Sequence, residues 1–315
     1  MPAYYVVVSG LDVVVRASGN GHVTGSIAIP VPAAGGRTFV GGRAYGGPDD
    51  QHFVIVVSRG GDLPGVSADT LFLLTVSRAG RPGRLSRLSF DNRGVPVTGA
   101  ALSPDGTRLA LSLTDGFPGE ALYGDVVLIN VRTGSTRTWT GRGAPGYWPG
   151  VPAWTDDGTI VVPWWHSDGP QAGDIPAEIA GVREVDLAAP GSSLLAGPLA
   201  SFPAPVAGLA SAMITPGGGE LIGSSCRPGH HTATARVIEL SASDGRLVRV
   251  LHTQTARFRN DADAEDAAFS TCQVLSVASG AHVLVQAFAL GRLDNGVFTA
   301  LPGTPPHALP VSAAW

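Results

Sequence analysis

One unit constrains this chain more than any other: VTGAALSPDGTRLALSL, residues 97–113, in which two apolar segments flank a Pro-Asp-Gly turn. A turn of that kind between two apolar runs marks an antiparallel pair of strands. A second pair, DVVLINVRTGSTRTWT at residues 125–140, follows around a Thr-Gly turn. The four segments make a meander of about 45 residues, the length of one blade in a radial repeat. The pattern returns in VPAWTDDGTIVVPWW from Val151, SAMITPGGGELIGSS from Ser211 and CQVLSVASGAHVLVQAF from Cys272, and more loosely in RTFVGGRAYGGPDDQHFVIVV from Arg37. Each precedes an outer pair such as REVDLAAPGSSLL, ARVIELSASDGRLVRVL or GRLDNGVFTALPG.

Five complete units are thus legible, and a sixth is split between the chain ends. VSAAW at residues 311–315 resembles the first-strand segment VPAW at residues 151–154, while AYYVVVSG near the start reads as a second strand. The expected fold is all-β: a single β-propeller domain over residues 1–315 with about six four-stranded blades, closed by residues 311–315 joining the blade of residues 3–30. The other blades fall at about 36–90, 95–140, 149–200, 206–252 and 266–302. Closure of the ring removes the open edge that would otherwise template aggregation.

Composition agrees. The 43 Gly and 25 Pro are spread along the chain, as many short strands with tight turns require, and 44% hydrophobic against 15% charged residues allows a large core. The net charge of −4 and the lack of a basic stripe argue against a nucleic-acid partner. No stretch reaches the roughly 18 apolar residues of a membrane span. A strand begins almost at Met1, which raises the expectation of an upstream export or anchoring segment.

The segment SPDGTRLALSL at Ser103, with its weaker copies TDDGT at Thr155 and TPGGGE at Thr215, resembles TolB-like and WD-repeat-like propellers, although the Trp-Asp dipeptide of true WD repeats is missing. The overall pattern also resembles bacterial propeller proteins that carry an anchored segment. The resemblance implies a fold and an extracytoplasmic location, and no particular chemistry.

In a four-stranded blade the turns after strands one and three share one face, and those after strands two and four share the other. The former are short here: SPDG, TDDG, TPGG, RTGS, SDGR and APGS. The latter are long: residues 58–70, 114–124, 166–181, 226–234 and 252–268. Long connections in a compact fold tend to carry function, so a ligand site is expected on that face.

Candidate residues there include Trp148 and the run Trp164, Trp165 and His166, with Asp168, Asp174 and Glu178 following. These suit either a binding surface for a sugar, peptide or aromatic ligand or plain core packing; aligning the repeats sets Trp165 at the position of Leu113, an inter-blade packing site. Arg227, His230 and His231 form a second group. Adjacent histidines lack the i, i+4 spacing of a helical zinc site and a supporting cysteine pair, so a solvated loop with no metal is expected. His52 and His282 align with Arg108 and Glu220 just after the first turn, a position that accepts polar residues. The acidic run at residues 260–266 sets Asp261, Asp263 and Glu265 at alternating positions but lacks the glycine and distal glutamate of an EF-hand, so it reads as a solvated loop.

Cys226 and Cys272 end and begin neighbouring strands near the same face, which makes a disulfide sterically feasible, the alternative being two buried thiols. No nucleophile elbow, phosphate loop or H-E-x-x-H motif occurs. No cofactor is expected. The leading functional expectation is a non-catalytic recognition or scaffold module for a protein, peptide or glycan. The alternative is a propeller hydrolase or lyase using His166, Asp168, Arg227 or His230 near the channel mouth.

Overall fold

The computed structural model of the chain describes residues 2–30, 39–47, 49–60, 67–92, 94–115, 123–167, 177–189, 191, 193–280, 282–302 and 312–315. Its strands are almost all in antiparallel meanders. β1 (Tyr4–Ser9), β2 (Asp12–Ala17) and β3 (Val23–Ala28) lie in one sheet, and β4 (Phe39–Gly46), β5 (His52–Gly60), β6 (Ser67–Val76) and β7 (Pro82–Arg87) form the next. A third meander is β8 (Val97–Leu102), β9 (Arg108–Asp115), β10 (Tyr123–Asn130) and β11 (Thr136–Thr140). After the short β12 (Tyr147–Pro149) comes a fourth, β13 (Ala153–Trp154), β14 (Ile160–His166), β15 (Glu178–Val185) and β16 (Leu199–Ala207). The last two are β17 (Ser211–Ile214), β18 (Glu220–Gly229), β19 (Thr232–Ser241) and β20 (Leu247–Arg257), then β21 (Cys272–Ser279), β22 (His282–Ala287), β23 (Ala289–Asp294) and β24 (Val297–Ala300). One helix, α1 (Asp261–Ser270), stands between them. β25 (Ser312–Ala314) returns to the first sheet and pairs with β1, Val6 opposite Ala314, Val7 opposite Ala313 and Val8 opposite Ser312.

Sheets of this kind, packed through their inner strands, are the blades of a β-propeller. They number five and not six as hydrogen-bonded units, because β12 joins the third and fourth meanders into one nine-stranded sheet. Tyr147 pairs in parallel with Tyr123 of β10, and Tyr147, Trp148 and Pro149 pair with His166, Trp165 and Trp164 of β14. A connecting segment that runs between two blades has backbone polar groups to satisfy, and here both flanking strands supply partners.

The inner turns show why the repeat folds locally. Asp105 accepts from Ser103 Oγ at 2.6 Å, from the Thr107 amide at 3.0 Å and from Thr107 Oγ1 at 2.8 Å, while Gly106 takes φ 69°. Thr155, Asp157 and Thr159 repeat these contacts around Gly158, at φ 82°. Only glycine adopts that left-handed conformation without strain. The three donors hold the Asp105 carboxyl at about 2, below its ordinary value of 3.8. A carboxyl depressed in the folded state stabilises above its unfolded value, and that stabilisation is lost as pH falls through the folded one. Wild type is therefore expected to exceed Asp105→Asn in stability at pH 6, and the gap should close between about pH 4 and pH 2. Urea melts at pH 6 and pH 2 measure it; a gap that stays constant would contradict the assignment.

Because strands in a propeller are covered on both faces, alternate residues serve different cores. Leu109, Leu111 and Leu113 of β9 pack with Val54, Val56 and Leu71 of the second sheet, whereas Ala110 faces Trp154, Ile160 and Val162 of the fourth meander. The equivalence of Trp165 with Leu113 is corrected by this register. The turn at Thr155 closes with an amide-to-carbonyl bond to Thr159, one residue sooner than Ser103 closes on Arg108. The shift puts Trp164 in the place of Leu113, and it sends Trp165 to the opposite face, since one residue of slip reverses every side chain.

Inner strands of neighbouring blades are tied by side chains. Ser312 Oγ accepts from the Ala44 amide at 2.7 Å, Arg43 Nη1 and Tyr45 OH donate to the carbonyls of Val97 and Thr98, and Trp154 Nε1 donates to Ala101 O at 3.0 Å. Ser211 Oγ accepts from the Val274 amide at 2.6 Å, and Ser276 Oγ donates to Trp315 O. Among the described residues no helix is long and apolar enough to cross a membrane.

Candidate functional site

The inner strands all run in the same direction, with a cavity among them at each end and a third, of about 350 Å³, beside Gly46, Ser276 and Trp315. The larger, of about 640 Å³, lies at their starting ends and is lined by Arg43 and Tyr45 of β4, Thr98 of β8, Val151, Ser211 and Met213 of β17, Gln273 of β21 and Ser312 of β25, among others. The smaller, of about 320 Å³, lies at their finishing ends, beside the short turns at Gly47, Pro104, Asp156 and Pro216. The larger therefore opens on the face of the long connections.

Its chemistry is that of hydrogen bonding around one cation. Among the described lining residues there is no His, Cys, Asp or Glu, and Arg43 is the one formal charge. Arg43 is exposed to the cavity yet held by its 3.2 Å bond to Val97 O. Beside it, Tyr45 is buried and bonds to Thr98 O at 3.2 Å; burial raises its phenol above the ordinary value, and the Arg43 guanidinium pulls the other way. Asp69, buried behind them, accepts from the Val97 amide at 2.6 Å. The start of β8 is thus gripped by three side chains, the Arg43 guanidinium among them.

None of the described residues singled out by sequence lines either of these two cavities, although His282 lines the third. Trp164 is 1% exposed, with the Arg183 guanidinium stacked 4.8 Å above its ring. Trp165 is buried against Ile179, Leu209 and Ala212, and the partly buried Trp148 stacks on it at 6.5 Å between centroids. These indoles pack blades together. His166 Nδ1 lies 3.2 Å from Glu178 Oε1, and its ring stacks on Tyr147 at 4.2 Å. Asp168 and Asp174 lie outside the described residues.

The connection at residues 226–234, expected as a loop, is a long hairpin: β18 and β19 pair as far as Gly229 with Thr232, leaving His230 and His231 as its two-residue turn. β17 stops opposite Ser224, so Pro228 sits where the strand has no inner neighbour and its missing N–H interrupts no ladder there. Arg227, on this hairpin, is exposed and lines a groove of about 220 Å³ beside β16, away from the central cavities. Residues 260–266, also expected as a loop, open helix α1. Asn260 caps it by accepting from the Asp263 amide at 2.7 Å, and Asp261 and Asp263 lie in the first turn, where the helix dipole favours negative charge. On a helix, side chains two apart diverge by about 200°, so Asp261, Asp263 and Glu265 do not face a common ion. Cys226 and Cys272 are disulfide-bonded, with Cα atoms 5.9 Å apart. His52, Arg108, Glu220 and His282 each open the second strand of a blade.

The cavity residues did carry a signal in the sequence. Thr98, Gln273 and Ser312 are polar residues at the second position of VTGAAL, CQVLSV and VSAAW, and Ser211 opens SAMI. Superposed repeats bring those positions to one mouth.

No protein-family model and no curated protein sequence matches the chain. Similar solved structures include a putative 6-phosphogluconolactonase from Bacteroides uniformis, 13% identical over 99% of this chain and 99% of that one, with a TM-score of 0.49. The Dos1 propeller is 10% identical over 96% of this chain and 69% of that one, with a TM-score of 0.43. The β-propeller domain of the Trilobed protease from Pyrococcus furiosus is 8% identical over 84% and 71%, with a TM-score of 0.38. These likenesses concern fold alone.

Proposed function

We propose that the chain is a non-catalytic recognition module, a closed six-bladed propeller of the TolB-like type, which holds a carboxylate-bearing peptide or glycan in the cavity at the long-connection end of its channel. The cavity itself carries the reading: one guanidinium, several hydroxyls and a carboxamide suit a ligand with an anionic group and several hydrogen-bonding groups, and its described lining includes no His, Cys, Asp or Glu. The six-blade count treats the nine-stranded sheet as two blades bridged by β12. The closed ring is supported by contacts of β25 with β4, β4 with β8, β8 with β13, β14 with β17, β17 with β21 and β21 with β25. An extracytoplasmic location is supported by the Cys226–Cys272 bond, because disulfides persist in oxidising compartments.

The test is a binding screen of acidic peptides and uronate oligosaccharides against the wild-type chain and Arg43→Gln, which removes the charge but keeps a polar side chain. A hit weakened at least tenfold by the substitution and by raised salt is expected; loss of one charge-assisted bond costs about 1.5–3 kcal/mol. Failure of every ligand, or a hit indifferent to Arg43, would sink the proposal.

One observation favours a second reading. His166 is oriented by Glu178, the relation of a general base to its supporting carboxylate. A hydrolase or lyase reading requires turnover abolished by His166→Gln at unchanged melting temperature.

A further inference from the structure

We propose that His230, His231 and Asp261 form a site for one divalent transition-metal ion of the zinc class. The sequence separates the aspartate from the histidines by 30 residues, and the fold brings them together where the hairpin of β18 and β19 meets the start of α1. His231 sits at φ 51° in the two-residue turn, and both imidazoles have a ring nitrogen within 4 Å of Asp261. Their centroids are 4.3 Å apart, tilted by 56°. Asp261 Oδ1 lies 3.2 Å from His230 Nδ1 and 3.9 Å from His231 Nε2, and all three donor atoms are within 4.8 Å of one another.

Ligands on a tetrahedral ion with bonds of about 2.0–2.1 Å stand about 3.4 Å apart. Side-chain movements of about 1 Å would bring the three donor atoms to that spacing. The elements that carry them are already fixed to each other. The Cys226–Cys272 bond ties β18 to β21, and Ala267 and Ala268 of α1 pack with Ala233 and Ala235 of β19 and with Phe288. The cation beside the site, Arg259, has its Nε 3.0 Å from Asp263 Oδ2, so its charge is offset. Two imidazoles and one carboxylate select zinc, nickel, cobalt or copper over magnesium or calcium, which prefer all-oxygen ligation. All three residues are exposed, so the fourth position is open to water or to a ligand from a partner. Adjacent histidines alone lack metal-site spacing, and Asp261 supplies the third ligand that their own segment does not contain.

The experiment is calorimetric titration of zinc(II) into metal-free full-length chain at pH 7.5, repeated with cobalt(II) for its visible spectrum. One ion per chain is expected, with affinity lowered at least tenfold by each of His230→Ala, His231→Ala and Asp261→Asn. His52→Ala and His282→Ala, which remove imidazoles paired to other aspartates, should leave it unchanged. Circular dichroism and melting temperature report whether each variant is folded. No saturable binding, or binding indifferent to the three substitutions in folded variants, would overturn the site.

Discussion

Deleting residues 312–315 should abolish cooperative folding at 25 °C, although it removes only four residues. Trp315 is 2% exposed and Ala313 and Ala314 are buried, so the deletion strips apolar contacts from Tyr5, Val7, Leu275 and Leu284, which share a cluster with Ala313 and Trp315, and from Val6, Ala44 and Phe53, which share one with Ala314. Removing a buried tryptophan side chain alone costs about 3–5 kcal/mol. The deletion also leaves the inner edge of β1 unpaired and the Ala44 amide without its Ser312 acceptor, an orphaned buried group costing about 1–3 kcal/mol. Together these rival the whole stability of a typical domain, about 5–15 kcal/mol. The measurement is a thermal melt of the truncated chain beside Trp315→Ala and Ser312→Ala. Losses should rank with the deletion largest and Ser312→Ala smallest. A truncated chain melting within a few degrees of the intact one would mean that pairing of the two ends does not stabilise the fold.

Loss of the Cys226–Cys272 bond should lower the melting temperature by about 6 °C. The two cysteines are 46 residues apart, and the chain-entropy relation gives a stabilisation of roughly 4 kcal/mol for a loop of that length. An unfolding entropy of about 2.1 cal/mol/K per residue converts this to that shift for a chain of 315 residues. Both reduction and the double change Cys226→Ser with Cys272→Ser should produce it. Two free thiols in unreduced protein, or equal melting temperatures with and without reductant, would remove the bond from the account. The loop it closes includes the hairpin of His230 and His231 and helix α1, so the metal affinity proposed for that corner should fall in parallel with loss of the bond.

The repeat was legible because each turn announces itself. Ser103, Asp105 and Gly106 form a turn through contacts among neighbours in the chain, and Thr155, Asp157 and Gly158 repeat it, so local chemistry alone marks the strands on either side. The pairing of VSAAW with the first strands was legible for a related reason, since VSAAW resembles the first-strand segment VPAW while AYYVVVSG reads as a second strand. Other elements were hidden by their composition. The run at residues 260–266 is acidic enough to pass for a solvated loop, and what makes it helical is the cap at Asn260 together with burial of Ala267 and Ala268 against Ala233 and Ala235 of β19, far off in the sequence. Pro228 and Gly229 read as loop residues, yet they extend a hairpin because β17 ends before reaching them.

What the sequence determined by itself was the succession of strands, the tight turns, and the meeting of the two chain ends, since all three follow from local alternation and from a repeat that must bury both faces of each sheet. Tertiary structure alone decided which polar residues share a cavity and which histidines meet a carboxylate. Arg43, Thr98, Ser211, Gln273 and Ser312 come from five blades, and His230, His231 and Asp261 from two elements that only the packing of α1 brings together. Spacing along the chain carries no record of such encounters, because each depends on how whole sheets pack around an axis, and a single residue of register, as at Trp164 and Trp165, reverses which side chain faces which neighbour.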